Sequence, residues 1–278
     1  MILNNKTLFV IMILLAFLIN CNGGKMAEKT IEFTSIKDVP ASLWKKLAQK
    51  KIYFGHRSVG NNIIDGIKDV MKEYTEIRLD IVEITDPSDL DSALFAHSKV
   101  GKNGDPKSKI DAFARLMEQK IGGKADIAFF KFCFADINAK MDTYEIFDEY
   151  KNMMLRFKIK YSKTNFIHIT VPLVTTKTTW KTWIKKLIKK EFIWEYDHNV
   201  ARNKYNELVR KKYDGNEPVF DLAKIESTYP DGRRAEFKRN GERHYSLVPD
   251  YTHDGGHLNA TGRKKVAEQL LILLANLD

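Results

Sequence analysis

Lys51-Ile52-Tyr53-Phe54-Gly55-His56-Arg57-Ser58-Val59-Gly60 reads as a short apolar strand that turns sharply at a serine. Ile63, Ile64, Ile67, Val70 and Met71 then recur at helical spacing, so the stretch is a strand–turn–helix unit. The same alternation runs outward from it. Strands are predicted at about Ile52–Gly55, Ile77–Ile84, Asp126–Phe134, Asn165–Val171 and Pro218–Leu222. Between them lie helical stripes such as Ile110, Phe113, Ala114, Met117 and Ile121, then Tyr144, Phe147, Tyr150, Met154 and Phe157. Val200, Tyr205, Leu208 and Val209 form another, and Val266, Leu270, Leu273 and Leu274 close the chain. Strands alternating with helices predict an α/β fold whose parallel sheet is covered on both faces. Phe129-Phe130-Lys131-Phe132-Cys133-Phe134 is nearly continuous in apolar residues, as a central strand must be.

Such sheets bind ligands beyond the C-terminal ends of their strands, where the strand order reverses. Ser58 follows the first predicted strand and Asp136 the third, and in the order 2-1-3-4-5 these two strands flank that point. Late in the chain, Asp254-Gly255-Gly256-His257 places an acid three residues before a histidine on a glycine-rich loop ahead of the last helix. A serine hydroxyl is a weak nucleophile at neutral pH and needs a neighbouring base. His257 is the candidate base for Ser58, and Asp254 the group that orients its imidazole.

The serine on the first strand's turn and the late Asp-x-x-His resemble the SGNH/GDSL hydrolases over roughly Lys51 to Leu277. The resemblance implies a flavodoxin-like three-layer α/β/α sandwich with a five-stranded parallel sheet and a serine esterase or deacetylase acting on an ester or O-acetyl group. It invokes no cofactor and no metal. The match has departures. The family's Gly-Asp-Ser is His56-Arg57-Ser58 here. Its Gly-x-Asn-Asp block, whose asparagine donates to the oxyanion, aligns with Cys133-Phe134-Ala135-Asp136, so Ala135 stands in the asparagine's place. The family's other glycine donor falls in Gly101-Lys102-Asn103-Gly104-Asp105-Pro106, which makes the Gly104 amide and the Asn103 side chain the expected substitutes. His56, beside the nucleophile, is a candidate for substrate contact.

Two other readings belong to different classes. Ala135 fits a non-catalytic envelope-binding protein on a degenerate hydrolase fold. His253, Asp254 and His257 with His56 fit a metal-dependent hydrolase, since imidazole and carboxylate suit zinc or iron. His97, His168, His198 and His244 are expected to be structural.

The rest of the chain bears on location. Lys6 followed by the apolar run Leu8–Ile19 is shorter than the ~20 residues a spanning helix needs, so residues 1–20 read as a signal peptide. Leu18-Ile19-Asn20-Cys21 resembles a bacterial lipobox, making Cys21 the expected lipidation site of an exported, membrane-anchored lipoprotein. Residues 21–40 read as a tether and extension, and 41–278 as one domain. With Cys21 lipidated only Cys133 remains, which excludes an intramolecular disulfide and reads as a buried small hydrophobe. The net charge of +10 comes from 46 Lys and Arg against 36 Asp and Glu. Much of the excess sits at Lys177, Lys181, Lys185, Lys186, Lys189 and Lys190, and no nucleic-acid-binding signature accompanies it. In the insertion at about 177–195, Trp180, Trp183, Ile184, Leu187, Ile188 and Phe192 form one stripe opposite these lysines. That pattern predicts a basic amphipathic helix, serving as a lid, an anionic-polymer or membrane-surface contact, or packing on the domain.

Overall fold

The structure, a computed structural model, describes residues 33–85, 90–176 and 193–277. The predicted leader, Cys21 and most of the predicted basic helix lie outside the described residues. The packed domain begins before residue 41: Ser35 caps a 3-10 turn at Ile36–Asp38, and Ile36 and Val39 are already in the core.

Strand β1 (Lys51–His56) is the axis of the sheet. It pairs in parallel with β3 (Leu94–Lys99) on one side, Lys51 opposite Leu94, and with β4 (Ile127–Phe130) on the other, Ile52 opposite Ile127. Beyond β3 lies β2 (Ile81–Glu83), and beyond β4 lies β5 (Asn165–Phe166), giving one parallel sheet in the order β2-β3-β1-β4-β5. After Ile167 the chain resumes as β6 (His168–Ile169), which pairs with β7 (Val219–Phe220). All five predicted strands are present, the first longer by one residue at each end and the other four shortened. The unforeseen strand is β3, which takes the place beside β1 and moves the predicted second strand to the edge. Leu-Phe-Ala-His-Ser-Lys breaks its apolar run after three residues, so the sequence pattern hides it.

The alternation of side chains along β1 divides the core in two. Ile52 and Phe54 face a layer that includes Ile63, Ile67 and Val70 of helix α2 (Val59–Glu73) and Leu270 and Leu274 of the last helix (Ala260–Ala275). Tyr53 faces the other layer, with Phe113, Phe147, Tyr150 and Phe157 and with Tyr205 and Val209 of the long helix Trp194–Tyr213. The three layers expected of the fold follow directly. A hairpin, Glu236–Arg239 with Glu242–Tyr245, turns at Asn240 and Gly241, both at positive φ as a two-residue hairpin turn requires.

Helix α1 (Ala41–Leu47) precedes the sheet, and α2 docks on the last helix through a close backbone approach. A Cβ on Gly66 would lie 2.4 Å from the Arg263 carbonyl oxygen, while Asp69 accepts from the Arg263 guanidinium at 2.6 and 2.9 Å. Backbone cannot yield as a side-chain end can. Gly66→Ala is expected to lower stability by at least ~1–3 kcal/mol, the range for overpacking, in urea unfolding. An unchanged midpoint would show that the two helices can separate at no cost.

Candidate active site

Beyond His56 the chain reverses at Ser58, which has φ 52° and ψ −109° and is the N-cap of α2. A non-glycine residue held there stores on the order of 1–3 kcal/mol of backbone strain. The first turn of α2 sits directly on the His56 side chain: a Cβ on Gly60 would lie 2.4 to 2.5 Å from its Cβ, Cγ and Nδ1. Glycine at 60 is what lets the turn be this tight.

The late loop meets this turn. Ser58 Oγ is hydrogen-bonded to His257 Nε2, and His257 Nδ1 to Asp254 Oδ2 at 2.6 Å. With Nδ1–H donating to the carboxylate, Nε2 is left to accept from the serine hydroxyl. The sequence brings these groups together from positions 199 residues apart. Locally, Asp254 Oδ1 accepts the amides of Gly256 at 2.9 Å and His257 at 2.8 Å, which folds the acid back onto its own loop. Burial by itself would raise the Asp254 pKa, but the Gly256 amide and the ring and amide of His257 hold it well below the usual carboxylate range. Gly255, at φ 94°, offers its carbonyl to the Thr175 amide at 2.8 Å, and Asn62 of α2 accepts from the Leu258 amide at 3.2 Å. The loop is thus pinned to the sheet edge and to the helix that carries Ser58. Phe134 stands edge-on to His257 with ring centroids 5.4 Å apart.

A pocket of about 360 Å³ opens beside this chain of hydrogen bonds. Phe134, Val174, Thr175, Trp194, Glu195 and His253 line it with the Asp254–His257 loop. Trp194 is half-exposed, and Glu195 and His253 are exposed.

Two of the expected oxyanion and substrate contacts, His56 and the Gly104 amide, are engaged elsewhere. His56 is wholly buried, its Nε2 bonded to His97 Nδ1 at 3.0 Å and its ring 4.7 Å from that of Phe54. Burial, then the neighbouring His97 and lysines, push its pKa down to about 3, so it is a neutral interior group. The Gly104 amide donates to Asp136 Oδ1 at 2.7 Å, and Asn103 Oδ1 accepts from Lys109 Nζ at 3.0 Å. The reason is a buried ion pair that the sequence reading missed. Lys109 and Asp136 bond to each other with both side chains fully enclosed, and Asp136 Oδ2 also takes the Cys133 amide at 2.6 Å. A buried carboxylate must be satisfied, and it draws the Gly104 amide to itself. The signal was present, since Lys109 adjoins the apolar stripe Ile110–Phe113 and Asp136 follows the aligned Ala135. His56 also does not join His253, and among the described residues no group of three His, Cys, Asp or Glu is arranged to hold a metal ion. Cys133 is buried, as expected, with its thiol donating to the Arg57 carbonyl at 3.3 Å.

His56 sets an acid limit on the fold. Its pKa falls from 6.5 to about 3 on folding, so the folded state binds the proton less well than the unfolded one. Its contribution is complete above pH 6.5 and is lost as pH falls from there to about 3. Across that window His56→Gln is expected to flatten the pH dependence of the unfolding free energy by up to ~1.4 kcal/mol per pH unit. Equal slopes for the two proteins, measured by urea unfolding, would mean that His56 is not held neutral.

No family model matches the sequence, and no curated protein matches it. Solved structures do. A protein described as a GDSL-like lipase from Parabacteroides merdae aligns with a TM-score of 0.51 and 10% identity, over 82% of this chain and 97% of that one. One described as a platelet activating factor from Streptococcus pneumonia gives 0.49 and 13%, over 86% and 94% of the two chains. A lipolytic protein of the G-D-S-L family from Desulfitobacterium hafniense gives 0.44 and 9%, over 80% and 99%. At such identities the likeness is one of fold, and it agrees with the parallel sheet and its helical layers: the chain has the α/β fold of the SGNH hydrolases.

Proposed function

We propose that the protein is a serine hydrolase acting on a short-chain ester or O-acetyl group. The continuous hydrogen-bonded chain Ser58–His257–Asp254, ending on a strained serine beside a pocket, carries this reading. In the proposed reaction His257 Nε2 takes the Ser58 proton as Oγ attacks the ester carbonyl. The imidazolium so formed is stabilised by Asp254. The tetrahedral intermediate collapses as His257 returns the proton to the departing alkoxide, leaving an acyl-serine. Water, deprotonated by the same imidazole, releases the acid and restores the hydroxyl. A pocket of about 360 Å³ edged by Thr175, Glu195 and His253 suits a small acyl group on a polar alcohol, such as an acetylated envelope carbohydrate, better than a long lipid chain.

Ser58→Ala and His257→Ala are each expected to abolish hydrolysis of p-nitrophenyl acetate, with the double variant scarcely worse, because such residues act as a unit. Asp254→Asn is expected to lower turnover severely by misorienting the imidazole. A fluorophosphonate probe is expected to label the folded protein at Ser58 stoichiometrically. More than about a tenth of wild-type activity in Ser58→Ala would remove the nucleophile assignment. Ala135 favours a second reading, a non-catalytic envelope-binding protein, and absence of labelling would turn the balance to it.

The proposed location is the cell envelope, held by lipid on Cys21. Cys21→Ser is expected to shift the protein from the membrane fraction to the soluble fraction and to end palmitate incorporation. Equal partitioning of mutant and wild type would dismiss the anchor.

A further inference from the structure

Arg202 is a cation with no solvent exposure, and its position beneath the pocket is not explained by packing alone. Its Nε donates to the Phe134 carbonyl at 2.8 Å and to the Ile137 carbonyl at 3.2 Å. Its Nη1 donates to Asn199 Oδ1 at 2.9 Å, and Asn199 in turn brackets Val174 by bonding to both its amide and its carbonyl. The guanidinium lies 5.8 Å from the ring centroids of both Phe134 and Trp194. One side chain therefore holds both walls of the pocket.

The Phe134 contact has an electronic side. Among the described residues no peptide bond is cis, and in a trans unit the C=O and N–H point in opposite directions. The carbonyl of the Phe134–Ala135 unit points at Arg202, so the Ala135 N–H points away from it. A charged donor on the carbonyl polarises the unit and strengthens that N–H as a donor. The turn touches both neighbours of the Ser58 hydroxyl site: the Cys133 thiol bonds to the carbonyl of the preceding residue, Arg57, at 3.3 Å, and the Phe134 ring stands against His257. Two other amides of the turn are committed, that of Asp136 to the Cys133 carbonyl at 3.0 Å and that of Cys133 to the Asp136 carboxylate. Among the described residues the Ala135 amide makes no hydrogen bond.

We infer that the Ala135 backbone N–H, aimed and polarised by Arg202 through the Phe134 carbonyl, is an oxyanion donor for the reaction at Ser58. Ala135 has no side-chain donor, and the main chain supplies one at the same residue. Arg202 is a positioning residue, touching no substrate atom and acting through one peptide unit. This rests on Ser58 being the nucleophile.

The test compares phenyl acetate with its thionoester, whose sulfur is a poor hydrogen-bond acceptor, so the ester-to-thionoester rate ratio measures donation to the developing anion. Arg202→Met is expected to lower kcat on the ester by ~10–10²-fold, with KM within about twofold, because the contact strengthens only as charge develops. The rate ratio is expected to fall by a similar factor. Replacing Ala135 by its α-hydroxy acid, which turns the N–H into an ester oxygen and leaves every side chain in place, is expected to lower the ratio likewise. A loss of rate with the ratio retained, in either folded protein, overturns the inference. If Arg202→Met does not fold, the backbone replacement decides alone. Full activity in Ser58→Ala would instead overturn the nucleophile assignment.

Discussion

A single enclosed carboxylate organises the side of the candidate site next to Ser58. Asp136 gathers the Lys109 ammonium, the Gly104 amide from the loop after β3 and the Cys133 amide from the loop after β4. These two strands flank β1, so the loops they feed stand on either side of the serine turn. A buried ion pair of this kind does little for net stability, since desolvation offsets most of the attraction, but removing one partner leaves an uncompensated charge at a cost of ~3–5 kcal/mol. What the pair supplies is geometry. It forces two independent loops to agree on one arrangement.

Much of this was legible in the sequence, and the pattern of what was not is instructive. The alternation of runs located β1, β4 and the helices because their side chains must bury faces of known period, as Ile63, Ile67 and Val70 do. Ser58, Asp254 and His257 could be named because a glycine-rich Asp-x-x-His loop is a local pattern, complete within four residues. Strand β3 escaped because its apolar run breaks off at His97 after three residues. The expected roles of Gly104 and His56 failed for one shared reason. Each depends on which distant group claims a polar atom, and nothing at positions 103 or 104 announces that a carboxylate at 136 will take the amide first. Pairings across the fold between buried polar groups carry no periodicity.

The interior beneath the pocket is unusually charged for a protein core. Lys131 is buried, donating to the Phe132 carbonyl at 3.1 Å, and Arg202 lies close by. Glu226 is enclosed with them, and burial raises its pKa to about 8 despite the Leu173 amide and the two cations. Cations that pull on the carbonyls of Phe132, Phe134 and Ile137 all act on one segment, the exit of β4. The segment is therefore held by electrostatic bonds from below rather than by strand pairing, which ends at Phe130.

The docking of α2 on the last helix has a consequence for when the site comes into being. The imidazole and its carboxylate form a local unit that a short loop can assemble, but the serine reaches them only across 199 residues of chain. The contacts that close this distance are the apposition of Gly66 on Arg263 and the bond from Leu258 to Asn62. Contacts of such sequence separation carry a large loop-closure entropy, which slows their formation. A chain with its strands formed but these two helices apart would hold the His257–Asp254 pair without Ser58. The three-residue hydrogen-bonded chain thereby exists only in the finished fold.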